Sequence, residues 1–222
     1  MTLRGVPQAI PLSHHNELFG VRESMTSQFN FFEGAGGADE TAPPVPEGFR
    51  YHPELIDAAE EEALLAHVRR LPLREFEFHG YKGRRRVVSF GWQYDFSARH
   101  LRRADDIPEY LLALRSVAAA FAGMEAEEFQ HAMITEYSPG AGIGWHRDKA
   151  VFGEVVGVSL TAPCVLRLRR SVGAKKWERV KVLAEPRSAY FLSGQVRSAW
   201  EHSIPPVEAL RYSITFRNLR TD

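Results

Sequence analysis

The residues best suited to chemistry lie in the C-terminal half of the chain. His146 and Asp148 stand two apart in Gly144-Trp145-His146-Arg147-Asp148, and His202 follows well downstream. On an extended backbone, residues two apart project from the same face. A distant histidine can then complete a set of three ligands. Two imidazoles and one carboxylate make the facial arrangement that holds non-heme Fe(II) while leaving positions open for oxygen and a co-substrate. A second signal closes the chain, in Arg211-Tyr-Ser-Ile-Thr-Phe-Arg217. Strand periodicity puts Arg211, Ser213, Thr215 and Arg217 on one face and Tyr212, Ile214 and Phe216 on the other. Two guanidiniums on a polar face suit the clamping of carboxylates through paired hydrogen bonds.

Taken in order, Tyr137-Ser138-Pro139-Gly140, His146-x-Asp148, His202 and Arg211-x5-Arg217 resemble the AlkB-like branch of the iron(II)/2-oxoglutarate-dependent dioxygenases. The resemblance implies a double-stranded β-helix, or jelly roll, with helices packed on one sheet and a lid that recognises nucleotides. It implies Fe(II) held by His146, Asp148 and His202, with 2-oxoglutarate and O2 as co-substrates. Arg211 would pair with the distal carboxylate of 2-oxoglutarate, helped by Tyr137 and Ser213, and Arg217 would lie near Asp148 and the chelating carboxylate. The family often has Asn where this chain has Thr135, and a hydroxyl offers the co-substrate a single donor. Members acting on methylated bases often carry an acidic residue where this chain has Ala150.

The elements that must position these groups read as mainly β with flanking helices. Asp57-Ala-Ala-Glu60 is a capping-box signature ahead of Leu64, Leu65 and Val68 at helical spacing. A second helix is predicted from about Pro108 to Ala122, with Gly123 past its end. After His146 the pattern turns to strands over 155–160, 164–169, 177–183 and 188–192, before the closing strand at 211–219. Such a series suits a two-sheet jelly roll.

Between the helices, the stretch of about 79–96 is the expected lid. Arg84, Arg85 and Arg86 form a basic run, and Arg86, Val88, Phe90, Trp92 and Tyr94 alternate onto one strand face. Cations followed by aromatics suit phosphate contact with base stacking, so Trp92, Tyr94 and the three arginines are the expected substrate contacts. A hairpin bearing Arg167, Arg169, Arg170, Lys175, Lys176, Arg179 and Lys181 offers either a solvated face or a phosphate-binding rim. His52, His67, His100 and His131 have no partner at ligand spacing and read as structural or surface residues.

The 222 residues suffice for one domain with a tail, and 44% apolar residues suffice for a core. Residues 1–46 read as a flexible acidic tail, in which Phe29, Phe31 and Phe32 could dock, and 47–222 as the dioxygenase domain. Residues 1–66 carry 3 basic and 11 acidic side chains, whereas 67–222 carry 25 and 17. A basic catalytic body is compatible with a polyanionic substrate. The single cysteine, Cys164, excludes an intrachain disulfide, and no apolar run reaches membrane-spanning length. The expectation is a cytoplasmic enzyme that dealkylates bases in single-stranded DNA or RNA, with no membrane and no obligate protein partner. The alternatives are the same chemistry on a tRNA modification or protein side chain, or a non-catalytic jelly-roll module.

Overall fold

The chain enters along β1 (Phe49–His52), and Asp57 then starts α1 (Ala58–Val68). The predicted capping box is present: Asp57 Oδ1 accepts from the Glu60 amide at 2.8 Å, and Glu60 Oε2 accepts from the Asp57 amide at 2.9 Å. β2 (Arg74–Phe78), β3 (Tyr81–Phe90), β4 (Trp92–Asp95) and β5 (His100–Arg103) follow. α2 (Glu109–Ala122) ends at Gly123, which takes the left-handed conformation (φ 70°) of a helix C-cap. The rest is β6 (His131–Tyr137), β7 (Ile143–His146), β8 (Phe152–Leu160), β9 (Cys164–Gly173), β10 (Lys176–Ala184), β11 (Ala189–Leu192), α3 (Gly194–Ser198), β12 (Glu201–Ile204) and β13 (Arg211–Leu219). This computed structural model describes residues 45–78, 81–95, 98 and 100–220. Phe29, Phe31, Phe32, His14 and His15, nearly all of the expected tail, and the 79–80 and 96–97 parts of the lid lie outside the described residues.

From β6 onward the chain alternates between two sheets, except where β9 and β10 form a hairpin within one of them, which makes the fold a jelly roll. The major sheet runs β1-β11-β8-β13-β6-β3-β2, and the minor sheet runs β10-β9-β12-β7. Two cores follow from the alternation of side chains. Leu64, Leu65 and Val68 of α1, with Leu111, Leu114 and Ala118 of α2, pack on Ile134, Val156, Val158, Ile214 and Phe216 of the major sheet. Between the sheets lie Leu166, Leu168, Val180, Leu192, Val196 and Trp200. Cys164 joins this second core, where burial pushes its thiol pKa up, as for an unreactive small hydrophobe.

The lid departs from the alternation read in the sequence. Gly91, at φ 75°, breaks the run after Phe90, and β4 pairs with β5 in a separate two-stranded sheet. A Cβ at Gly91 would stand 2.0 Å from the Gln130 carbonyl oxygen, so the turn needs glycine for both conformation and space. Val88 and Phe90 pack in the helix-backed core, while Trp92 and Tyr94 belong to the other sheet and are half-buried.

Candidate iron and co-substrate site

His146 ends β7 and His202 sits opposite it on β12, in direct register across the minor sheet. Their ring centroids are 4.2 Å apart. Asp148 enters from the loop after β7, and one ligand atom from each of His146, Asp148 and His202 lies within 4.8 Å of the others. His146 Nδ1 is 2.9 Å from the Gly144 carbonyl, which can only accept, so Nδ1 carries the hydrogen and Nε2 is left as the ligand atom. Burial lowers the pKa of both imidazoles against the pull of Asp148, and brings His202 down to about 3. Both are therefore neutral near pH 7, as metal ligation requires. Burial alone would raise the Asp148 pKa, but Arg217, His202, His146 and Arg197 together outweigh it, Arg217 most of all, and hold the carboxyl below the ordinary carboxylate range. Arg217 Nη2 donates to Asp148 Oδ1 at 3.2 Å, while Oδ2 is buried with no hydrogen-bond partner.

The loop that carries Asp148 is held by a residue the sequence did not single out. Arg197 of α3 is buried and donates to the carbonyls of Gly153 (2.6 Å), Phe152 (2.6 Å), Lys149 (2.8 Å) and Asp148 (3.3 Å). A planar guanidinium can gather four carbonyls in this way because its donors form a rigid fork. No spacing in the sequence marks Arg197, since it meets the loop only once β8 and α3 pack.

The polar face of β13 lines the space between the sheets. Arg211, with none of its surface exposed, donates from Nη2 to Ser159 Oγ at 2.6 Å and lies 5.2 Å from the Tyr137 ring centroid. Its Nε and Nη1 are buried without partners. Ser213 faces Thr135 on β6 and Ser159 on β8 in register, and all three are buried. Gly157 makes room for the Tyr190 ring, since a Cβ there would lie 2.2 Å from Tyr190 Cζ. Burial raises the Tyr190 phenol pKa against the pull of Arg211. At the far end His131, opposite Arg217 in register, offers Nδ1 to Arg217 Nη1 at 3.4 Å. Burial pushes the His131 pKa well down, so a neutral imidazole is the acceptor. Ser159, Tyr190 and His131 escape a sequence reading because only strand register brings them to the arginines.

A family model described as the 2OG-Fe(II) oxygenase superfamily matches residues 48–217. The chain belongs to this superfamily. The oxygenase is 26% identical over 179 residues to "Alkylated DNA repair protein ALKBH8 homolog" of Arabidopsis thaliana, covering 69% of this chain and 49% of that protein. It is also 26% identical over 183 residues to "tRNA (carboxymethyluridine(34)-5-O)-methyltransferase ALKBH8" of Mus musculus, covering 80% and 27%. The chain thus spans about half the length of the first of these relatives and about a quarter of the second. Among solved structures, OsALKBH1 superposes with TM-score 0.57 at 15% identity, covering 79% of this chain and 99% of that one. A Pseudomonas putida prolyl-4-hydroxylase superposes with TM-score 0.53 at 16% identity, covering 78% and 94%. These two share the fold. As a member of its superfamily the oxygenase is a dioxygenase that uses Fe(II), 2-oxoglutarate and O2. Its residues fit both groups. The unpartnered Asp148 Oδ2 and neutral imidazoles suit a divalent metal, and the unpartnered donors of Arg211 suit a carboxylate.

Around the oxygenase's site, the expected substrate residues divide. Tyr94 is half-buried and has Lys149 Nζ 5.0 Å from its ring centroid, next in sequence to Asp148. Trp92 has the Arg103 guanidinium 5.4 Å over its ring. The three lid arginines differ in their surroundings. Arg84 is exposed, Arg85 is buried over Phe76 at 3.8 Å, and Arg86, also exposed, is tied to Glu136 through two hydrogen bonds of 2.8 Å. Glu136 also accepts from the Tyr212 hydroxyl at 3.0 Å, so Arg86 closes a polar cluster on the helix-facing side. No helix among the described residues is long and apolar enough to cross a membrane.

Proposed function

We propose that this oxygenase removes alkyl groups oxidatively from bases of single-stranded DNA or RNA. One observation carries the reading: Tyr94 of the lid lies against Lys149, beside the iron-binding carboxylate, so an aromatic ring and a cation share the mouth of the site. A base within a duplex cannot reach a buried metal and must be flipped or come from a single strand. It then needs an aromatic surface to accept it. The names of the Arabidopsis and mouse relatives, an alkylated-DNA repair protein and a tRNA methyltransferase, support a nucleic-acid substrate.

In this reading His146 Nε2, Asp148 and His202 hold Fe(II). When bound, the metal and 2-oxoglutarate supply oxidative decarboxylation coupled to hydroxylation of a C–H bond, which on an N-methyl group ends in loss of formaldehyde. Arg211, with Ser213, Tyr137, Ser159 and Thr135 around it, binds the distal carboxylate. Arg217 orients Asp148 and neutralises the inner carboxylate. The burial of this face keeps water from both charges, which strengthens each pairing. Trp92 and Tyr94 stack on the base, Arg84 meets backbone phosphate, and the buried Arg85 interacts electrostatically with Asp148 and His146. Arg86, already paired with Glu136, is left to hold the lid strand.

The second reading keeps the chemistry and moves it to a modified tRNA base, favoured by the name of the mouse relative. Succinate and formaldehyde release should be followed over a panel of alkylated DNA and RNA oligonucleotides, tRNA and peptides. We expect turnover on single-stranded alkylated oligonucleotides, slowed in Tyr94→Ala by a loss of about 1–3 kcal/mol in binding. Turnover on tRNA alone favours the second reading, and turnover on peptides alone overturns both.

A further inference from the structure

We propose that the outer face of the minor sheet binds the backbone of the single strand on either side of the base presented to the iron, an inference that rests on the nucleic-acid reading above. One transverse row of this sheet, His146, His202, Leu168 and Val180, belongs to the metal site and inner core. Alternation turns the neighbouring residues outward. There Arg167 and Arg169 of β9 stand opposite Lys181 and Arg179 of β10, and opposite Ser203 and Glu201 of β12. Four cations thus share the face with one carboxylate, Glu201, whose Oε2 already accepts from Arg169 Nε at 2.7 Å.

Two tryptophans fix the guanidiniums in place. Arg169 lies 4.3 Å from the Trp145 ring centroid and 4.2 Å from that of Trp177, and Arg167 lies 5.0 Å from Trp145. Arg167 Nε donates to Ser203 Oγ at 3.1 Å. Each of these arginines is therefore held by its Nε and by an indole face, while its Nη groups have no hydrogen-bond partner among the described residues. A guanidinium held in this way loses little entropy on binding phosphate and presents a planar fork to it. Arg179 and Lys181 are exposed beside them. Indoles and guanidiniums also present π-faces to bases, which an acidic peptide would not use. Trp145 precedes the ligand His146 in β7, so the face is the reverse side of the sheet that carries two of the iron ligands. A strand crossing it can run on to the site around the β7 edge.

The test is binding of a labelled, unmodified single-stranded oligonucleotide to the full chain, followed by anisotropy across salt concentrations. Arg179 and Lys181 make no ion pair among the described residues, so the Arg179→Gln/Lys181→Gln variant is expected to keep its melting temperature. Its affinity at low salt should fall on the order of tenfold, and the slope of log affinity against log salt should shrink by about 1.4 for two lost phosphate contacts. Parental affinity and slope in this variant, while Arg84→Gln lowers both, would overturn the surface and leave the nucleic-acid reading standing. Absence of oligonucleotide binding by the parent would remove both. Competition by polyglutamate as strong as by the oligonucleotide would reassign the face to acidic peptides and overturn the proposal.

Discussion

The two faces of β13 are both shut off from water, but they are built on opposite rules. Tyr212, Ile214 and Phe216 pack into the helix-backed core, where burial of apolar area stabilises the fold. Arg211 and Arg217, on the other face, are as thoroughly buried yet keep Nε and Nη1 of Arg211 and Nε of Arg217 unpaired. A buried guanidinium with unsatisfied donors costs stability, because its lost hydration is not replaced. One strand thus contributes stability on one side and spends it on the other. The unpartnered donors of the polar face suit an anionic ligand, as the proposed binding of 2-oxoglutarate requires.

The largest effect is expected at the metal. Asp148→Ala should abolish turnover, since it removes an iron ligand and the acceptor of Arg217 together. Iron titration by calorimetry checks this, and unchanged affinity would refute the ligand set. Next come matched changes on the two faces. Arg211→Met should weaken 2-oxoglutarate binding by about 2–5 kcal/mol, the scale for one lost partner of a buried charge pair. Its melting temperature should hold or rise, because an apolar side chain replaces an incompletely paired buried charge. Ile214→Ala should do the reverse, costing about 2–5 kcal/mol of stability in urea unfolding while 2-oxoglutarate affinity is retained. Arg197→Lys should raise the iron dissociation constant by about 10- to 100-fold, the usual scale for groups that orient a ligand. A single ammonium cannot serve four carbonyls at once.

The smallest effect is one of pH. His131 and His202 have folded-state pKa values far below the unfolded value of about 6.5, so the unfolded chain takes up protons first as the pH falls. The stability they provide is fully present above about pH 6.5 and is lost below it, at about 1.4 kcal/mol per pH unit for each histidine. Urea midpoints of the metal-free protein at pH 7 and pH 5.5 should show this loss, and His131→Gln should show less of it.

The two faces of β13 were legible from the sequence because strand period is strict and the segment is uninterrupted. The alternation from Arg86 to Tyr94 is continuous in the sequence but not in the fold, because at Gly91 the chain turns into another sheet. Parity within β3 also places Arg85. Arg86 and Val88 face the helices, so Arg85 between them must point the other way, toward the iron ligands. Ser159, Tyr190, His131 and Arg197 had no local signature. Each owes its place to pairing or packing between distant segments, which spacing along the chain does not encode. The order of the three candidate iron ligands is legible in the chain, whereas what brings His146 to His202 is the register of β7 on β12.

The most direct test is an anaerobic calorimetric titration of 2-oxoglutarate into the Fe(II)-loaded protein and into its Arg211→Met variant. The parent should bind one equivalent, only when metal is present, and the variant should bind at least about 30-fold more weakly, the lower bound of a 2 kcal/mol loss. Equal affinity in the two proteins, or binding by the parent that is indifferent to iron, would contradict the assignment of the polar face of β13 to the co-substrate.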